Sequence, residues 1–213
     1  MQMIKKEAKT SKIQQSRREK RRQAMLDAAN AIFLEKGYGA TSLADVVKES
    51  GGSLATLYDL FGGKEGLFHE IVEMKCDEFT QILNNEEITD KSLDIALRKI
   101  GEHFFMAILA EDGLSFFRLV ISEIKQFPEI GTSFYAAGPN AVDKILANYL
   151  AEQDKQGRLR IDDPIEAAQT FLSLIIGQYQ TKLLCGLQLK MTEQQIKKHL
   201  NQAVKNFLTI YGA

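Results

Sequence analysis

The chain has 213 residues, 45% of them hydrophobic, and a formal net charge of −1. This length allows one or two domains, and the apolar content excludes a disordered protein. The charge is unevenly distributed, because residues 1–63 hold 11 Lys and Arg against 7 Asp and Glu, while the remaining 150 residues hold 16 against 21. A basic N-terminal part beside an acidic remainder is typical of a protein that binds phosphates at one end only.

The sequence also argues against membrane proteins and common enzyme classes. No run approaches eighteen consecutive apolar residues, and no apolar segment follows the charged N-terminus. We therefore expect neither a membrane span nor a signal peptide, and a cytoplasmic location. Glycine-rich phosphate loops, HExxH and paired CxxC motifs are missing from the sequence. We expect a protein that is not an enzyme, with no catalytic residue, metal site or cofactor.

In chain order, residues 1–16 are polar without an apolar period and predict a flexible basic arm. The arm is either a solvated tail or a segment that reaches a nucleic-acid backbone. From Arg17 onward, apolar residues at spacings of three and four predict an amphipathic helix, which Gly37 ends.

Two short helices joined by a glycine turn follow in residues 41–64. Ser42 is placed to cap the first helix, Gly51-Gly52 provides the break, and Ser53 is placed to cap the second. This arrangement is a helix-turn-helix unit, whose second helix enters the major groove of DNA. We therefore assign residues 17–63 to a helix-turn-helix DNA-binding domain.

The run from about Arg17 to Glu78 resembles the DNA-binding domain of the TetR family of bacterial transcriptional regulators. The matching residues, in order, are Ala28-Ala29, Phe33, Gly37-Tyr38, Thr41, Thr56-Leu57-Tyr58, Phe61, Lys64-Glu65 and Leu67. The pattern departs at Gly52, where the family usually has an apolar residue such as Val. Because two adjacent glycines add backbone freedom, we expect a looser turn than is usual in the family.

Ser53 to Tyr58 is the stretch that we expect to touch DNA. Small side chains at Ser53 and Ala55 allow a close approach, Leu54 and Ala55 suit contacts with thymine methyl groups, and Thr56 suits a methyl group or a phosphate. Arg, Asn and Gln are missing from this helix, so we expect sequence preference to rest on methyl contacts and DNA shape.

The resemblance implies further phosphate contacts. Tyr58, Lys64, Thr41 and Ser42 match positions that usually hold phosphate oxygens in the family, and Arg18 is a weaker candidate. The alternatives are a core ring for Tyr58 and a free surface lysine for Lys64.

The remainder predicts an all-α fold, because no segment alternates in the manner of a strand. A long helix over residues 64–84 joins the DNA-binding domain to the rest, as the resemblance implies. Residues 85–213 predict helices over 92–109, 114–127, 130–154 with a kink at Gly138-Pro139, 164–189 and 192–210, the last with a capping box.

The resemblance implies that residues 85–213 form a helical ligand-binding and dimerisation domain. Candidate lining residues of an apolar pocket are His103, Phe104, Phe116, Phe117, Tyr135, Phe171 and Gln178. The last two helices carry more apolar residues than a terminal hairpin needs, which favours a four-helix dimer interface including Phe171, Ile175, Tyr179, Leu200, Val204 and Phe207. The alternative for both sets is the core of the monomer.

These features predict a homodimeric transcriptional regulator, a repressor that binds a palindromic double-stranded DNA operator. By the resemblance, a small apolar or amphipathic ligand releases it. The alternative is a helical protein–protein adaptor whose DNA-binding domain no longer reads DNA.

Overall fold

The computed structural model describes residues 2–83, 92–177, 179–187 and 189–213. Within these residues the regular structure is helical, and one isolated bridge pairs Leu159 with Gly212. The predicted all-α fold is confirmed. The helices are α1 (Gln2–Lys36), α2 (Leu43–Ser50), α3 (Leu54–Phe61), α4 (Lys64–Leu83), α5 (Leu93–Leu109), α6 (Glu111–Glu123), α7 (Pro128–Ala137), α8 (Pro139–Lys155), α9 (Pro164–Ile176), α10 (Tyr179–Leu184) and α11 (Glu193–Tyr211).

The first helix is longer than predicted. It begins at Gln2, so the segment that the sequence indicated as a flexible arm is helical. Residues 2–16 contain neither Gly nor Pro and are rich in Lys and Gln, which are good helix formers. Continuing an existing helix adds one hydrogen bond for each residue fixed, so an apolar face is not required.

Two other helices end earlier than predicted, and a third is divided in two. The predicted helix 114–127 ends at Glu123, and Pro128 is the first residue of α7. Gly138, with φ −97° and ψ −102°, separates α7 from α8, where the sequence predicted a kink. Gly177, with φ +49°, ends the predicted helix 164–189 at Ile176. Residue 84, the predicted end of the linking helix, lies outside the described residues.

The chain divides into two compact units. The N-terminal unit comprises residues 1–72 and 119–133, and the C-terminal unit comprises residues 73–118 and 134–213. Residues 119–133, which the sequence analysis assigned to the C-terminal domain, thus group with the DNA-binding elements. Among the described residues, no helix is both long and apolar enough to cross a membrane, and no cluster of side chains is suited to hold a metal ion.

The core of the N-terminal unit is built on aromatic rings. Tyr38, which follows α1, lies with its ring centroid 5.4 Å from that of Phe33 and 5.5 Å from that of Phe68. Phe127, from the segment between α6 and α7, completes the group at 5.3 Å from Tyr38. Edge-to-face contacts at these distances stabilise ring clusters beyond simple burial. This cluster fixes the end of α1, where the helix-turn-helix begins.

Each of the two glycines in the turn between α2 and α3 is required for a different structural reason. Gly51 caps α2 in the left-handed conformation, with φ +72°, and its N–H donates to the carbonyl of Val47. Gly52 lies against α1, where a Cβ atom would come 2.2 Å from the Cε of Met25. Because Met25 is fully buried, its methyl group occupies the space that an apolar side chain at position 52 would fill.

The C-terminal unit packs α5, α8, α9 and α11 around one apolar core. In this core the ring of Phe171 meets that of Phe207 at a centroid distance of 5.2 Å. The predicted capping box at the start of α11 is confirmed, since the side chains of Thr192 and Gln195 each bond the backbone of the other. These contacts hold α9 and α11 side by side.

Candidate nucleic-acid interface

The recognition helix α3 presents two large apolar side chains to solvent. Leu57 and Phe61 are buried in the N-terminal unit, whereas Leu54 is 45% and Tyr58 is 56% exposed. Ser53 and Ala55 are also exposed, and Thr56 is half-buried. The core-ring alternative for Tyr58 is therefore wrong. Leu54 and Tyr58, four residues apart, thus share the solvent face of α3 and are accessible to a partner.

Both predicted serine caps are confirmed. Ser53 Oγ accepts from the Thr56 N–H at 3.1 Å and lies 2.9 Å from Thr56 Oγ1. Ser42 Oγ accepts from the Asp45 N–H at 3.1 Å, and bonding to Ser42 is the main cause that lowers the pKa of Asp45. These bonds satisfy N–H groups that a helix N-terminus otherwise leaves free. The caps fix the starts of α2 and α3, and their contacts with DNA stay a prediction.

The prediction for Thr41 is corrected by the structure. Thr41 is only 3% exposed, and its hydroxyl donates to the carbonyl of Gly37 at 2.7 Å. A phosphate cannot reach a side chain that is buried and already bonded at the end of α1. Thr41 therefore stabilises the connection between α1 and α2 instead of contacting DNA.

Lys64 is engaged within the N-terminal unit. Its Nζ donates to the carbonyl of Gly39 at 3.2 Å and lies 4.4 Å from the ring centroid of Tyr38, a cation–π distance. Partial burial lowers the pKa of Lys64, and the nearby carboxylate of Glu123 acts in the opposite direction. The alternative of a free surface lysine is wrong, and a phosphate contact by Lys64 stays a prediction.

A segment far along the chain completes this region. Glu123 Oε2 accepts from the Gly39 N–H at 3.3 Å. Burial, with the charges of Glu129 and Glu65, raises the pKa of Tyr38 to about 12. Sequence reasoning grouped Glu123 and Phe127 with the residues of a possible pocket and did not predict these contacts, because 84 residues separate Glu123 from its partner and no local pattern marks such a contact.

Arg18 lies beside the recognition helix. Its Nη2 atom is 3.4 Å from Asp59 Oδ2 on α3, and both side chains are mostly exposed. The pair lines a groove of about 510 Å³ between α1 and α3, which we call the arginine groove; its lining residues are Arg17, Arg18, Arg21, Ala55, Thr56, Asp59 and Leu60. The groove adjoins Ala55 and Thr56, two of the predicted DNA contacts, and sequence reasoning missed Asp59.

The structure distributes the predicted pocket residues between core and surface. His103 and Tyr135 are exposed, whereas Phe116 and Phe171 are buried. Phe104 packs against the main core, and the ring of Phe117 stacks on that of Phe134 at 5.6 Å. Gln178 lies outside the described residues. A ligand pocket in this unit stays a prediction.

The predicted dimer residues require a correction. Phe171, Ile175, Leu200, Val204 and Phe207 are each at most 4% exposed in the single chain, and Tyr179 packs against the same core. The apolar surplus of α9 and α11 is thus consumed within the monomer, which was the alternative left open by the sequence.

Sequence reasoning also missed His199 on α11. Its Nε2 lies 2.7 Å from the carbonyl oxygen of Ile175, near the end of α9. A carbonyl oxygen only accepts, so Nε2 is the donor. The imidazole ring lies 5.2 Å from Phe105 and 4.8 Å from Tyr179. His199 thereby satisfies a carbonyl group released where Gly177 breaks the helix.

Known proteins match both parts of the chain. Residues 25–71 match the sequence family described as bacterial regulatory proteins, tetR family, and residues 95–213 match the C-terminal domain of AefR-like transcriptional repressors. The solved structure of the flavonoid-responsive regulator FrrA is 32% identical, with a TM-score of 0.76 over 90% of this chain and 97% of its own. A structure of a TetR-family regulator from Mesorhizobium loti has a TM-score of 0.79 at 22% identity, over 92% of this chain and 99% of its own. The regulator YvkB of Bacillus subtilis is 24% identical, over 82% of this chain and 90% of its own.

Proposed function

This chain belongs to the TetR family of bacterial transcriptional regulators, and we propose that it acts as a repressor, a homodimer that binds a palindromic operator and leaves it when a small apolar or amphipathic ligand binds. DNA binding and transcription regulation follow from the family. Repression, dimerisation and ligand release are the finer proposal. The exposed face of α3, with Leu54 and Tyr58 turned to solvent on a capped helix, is the observation that supports contact with the operator.

The two N-terminal units of a dimer read the two halves of the operator. In this fold the recognition helix enters the major groove with its N-terminal residues at the base edges. Half-sites of such dimers lie about 34–36 Å apart, or a multiple of that spacing. Leu54 and Ala55 contact base methyl groups, while Tyr58, Ser42, Ser53 and Lys64 bind phosphate oxygens.

Dimerisation uses the outward faces of α9 and α11. These two helices lie together in the C-terminal unit, and their apolar inner faces are already buried. Two large apolar residues, Ile165 and Ile210, stay exposed on them. Sedimentation of an Ile210→Asp variant tests this placement: a monomer is expected, and an unchanged dimer would contradict it.

Ligand release is supported by two observations. The similar regulator FrrA is described as flavonoid-responsive, and a flavonoid is a small amphipathic molecule. Residues 119–133 contact the start of the helix-turn-helix through Glu123 and Phe127. A ligand shifts DNA binding only by its difference in affinity between two states. A ligand-induced movement of residues 119–133 changes this contact and so changes the position of the recognition helix α3.

Selection of genome fragments on the purified protein, followed by a salt titration of the recovered site, tests the proposal. A palindrome bound with a steep salt slope is expected. Tyr58→Phe should weaken binding about fivefold, since a hydrogen bond contributes about 1 kcal/mol. Tyr135→Phe is the matched control, because Tyr135 is equally exposed, at 58%, but lies in the C-terminal unit. Weak binding without sequence preference would instead support the adaptor alternative.

A further inference from the structure

Arg18 and Asp59 form an ion pair at a place where a DNA-binding protein needs positive charge. Arg18 lies on α1 and Asp59 on α3, 41 residues apart, and their atoms approach to 3.4 Å. The two side chains are 66% and 73% exposed. Exposed pairs of this kind contribute little to folding stability, because water and salt screen them. Stability alone therefore gives no reason to place a carboxylate on the recognition helix.

The charges around this pair are arranged for an anion. Arg17, Arg18 and Arg21 line the arginine groove from α1. Among the lining residues that the structure describes, Asp59 is the one acidic side chain, so these four charges sum to +2. Arg17 and Arg21 make no ion pair with the residues that the structure describes. Guanidinium groups in a row match the oxygens of a phosphate, because each presents several N–H donors in a fixed plane.

The position of the groove fits the DNA backbone. A helix in the major groove, which is about 12 Å wide, has a phosphate backbone along each of its edges. The groove runs along one edge of α3 and shares Ala55 and Thr56 with the face that meets the bases. A phosphate entering it would therefore come from the same duplex that α3 reads.

Arg18 is already a predicted phosphate contact, and the groove places Arg17 and Arg21 beside it. We propose that Asp59 is an internal competitor in this groove, which occupies Arg18 in the free protein and lowers its affinity for the DNA backbone. This inference rests on the proposed function. A phosphate that binds in the groove must displace the Asp59 carboxylate from Arg18 or share Arg18 with it. Asp59 therefore lowers the affinity of the protein for any duplex. Weak phosphate binding benefits a repressor, because a genome offers about 10⁶–10⁹ non-specific sites, at which the protein contacts only the DNA backbone.

The substitution Asp59→Asn separates this role from others. It should raise affinity for the recovered operator and for a random-sequence duplex of the same length by a similar factor, roughly two- to fivefold. It should also steepen the salt dependence by up to about 0.9 in slope, because Asp59 no longer offsets one of the positive charges that neutralise the DNA backbone. A residue that merely stabilises the fold would leave this slope unchanged.

Two further variants make the experiment specific. In Arg18→Gln the effect of Asp59→Asn should disappear, because the competitor then has no partner. Asp27→Asn removes a carboxylate from an exposed position of α1 that does not line the groove, and it should leave the slope unchanged.

The outcomes decide between the explanations. Lower affinity in Asp59→Asn would overturn the proposal and make Asp59 a residue that positions Arg18. The proposal would also be overturned if Asp59→Asn left the salt slope unchanged, or if Asp27→Asn changed the slope equally. The same holds if Asp59→Asn still raised affinity in the Arg18→Gln background. If the wild-type protein bound no duplex, the proposed function itself would fail, whereas normal operator binding with an unchanged Asp59→Asn slope would remove only this inference.

Discussion

Gly52 in the helix-turn-helix provides a quantitative test of how this domain is packed. A Cβ atom at this position would lie 2.2 Å from Met25 Cε, against about 3.5–4.0 Å for an ordinary carbon contact. Gly52→Val places three new carbon atoms there, and overpacking of this kind costs about 1–3 kcal/mol. Met25→Ala leaves a cavity in the core and costs about 2–5 kcal/mol.

The double variant should recover part of both losses. Met25→Ala removes as many heavy atoms as Gly52→Val adds, and both changes concern the same space. We expect the double variant to be more stable than the sum of the single variants by about 0.5–3 kcal/mol, the range for residues in direct contact. Hydrogen exchange of amides in residues 43–61 measures this, because it reports the opening free energy of the N-terminal unit alone.

Gly51→Ala serves as the control in the same turn. Apart from its chain neighbours, no atom of the described residues lies within 4 Å of a Cβ at Gly51, but its φ of +72° strains any residue with a side chain. The cost, about 1–2 kcal/mol, comes from the backbone and should add to that of Met25→Ala. If Gly52→Val and Met25→Ala were also additive, the packing explanation of Gly52 would be refuted.

Two other variants test single contacts. The pKa of Tyr38 is raised from 10.0 to about 12, so the neutral ring is favoured in the folded state. Stability from this source is complete below pH 10 and falls as the pH rises toward 12, so wild type should lose stability relative to Tyr38→Phe in alkaline urea titrations. His199→Phe retains the ring beside Phe105 but removes the donor to the carbonyl of Ile175. We expect a loss of roughly 1–3 kcal/mol in denaturant unfolding of the C-terminal unit, and stability equal to wild type would show that the hydrogen bond is not needed.

Local chemistry explains what the sequence predicted. Ser42 and Ser53 precede α2 and α3 and cap them, and Gly51 ends α2, because these residues act on backbone groups only a few positions away. The capping box at Thr192 follows the same logic. The position of the recognition helix could therefore be predicted from the sequence, whereas the exposure of Tyr58 was expected only from the family resemblance.

Contacts between distant segments explain what the sequence did not predict. Glu123, the last residue of α6, and Phe127, which follows that helix, reach the start of the helix-turn-helix from a segment that the sequence analysis assigned to the C-terminal domain. Thr41 matched a family pattern of phosphate contacts, yet burial decides its role, and burial depends on the packing of α1. The prediction of the dimer residues was wrong for a related reason. Periodicity shows that a helix face is apolar, but it does not show whether the same chain or a partner chain covers that face.

The recognition helix has no Arg, Asn or Gln side chain that could make bidentate hydrogen bonds to base edges, so its sequence preference depends on apolar contact. Leu54 and Ala55 are the exposed apolar residues near its start. Each thymine methyl group buried against them contributes about 0.8 kcal/mol, or roughly fourfold in affinity. Replacing one operator thymine at a time with uracil removes the methyl group and leaves every phosphate in place. At the contacted bases we expect a fourfold loss with an unchanged salt slope, and in Leu54→Ala the sensitivity should disappear at one of them. If no thymine proves sensitive, shape and phosphate contacts must carry the preference, and the apolar face of α3 has another use.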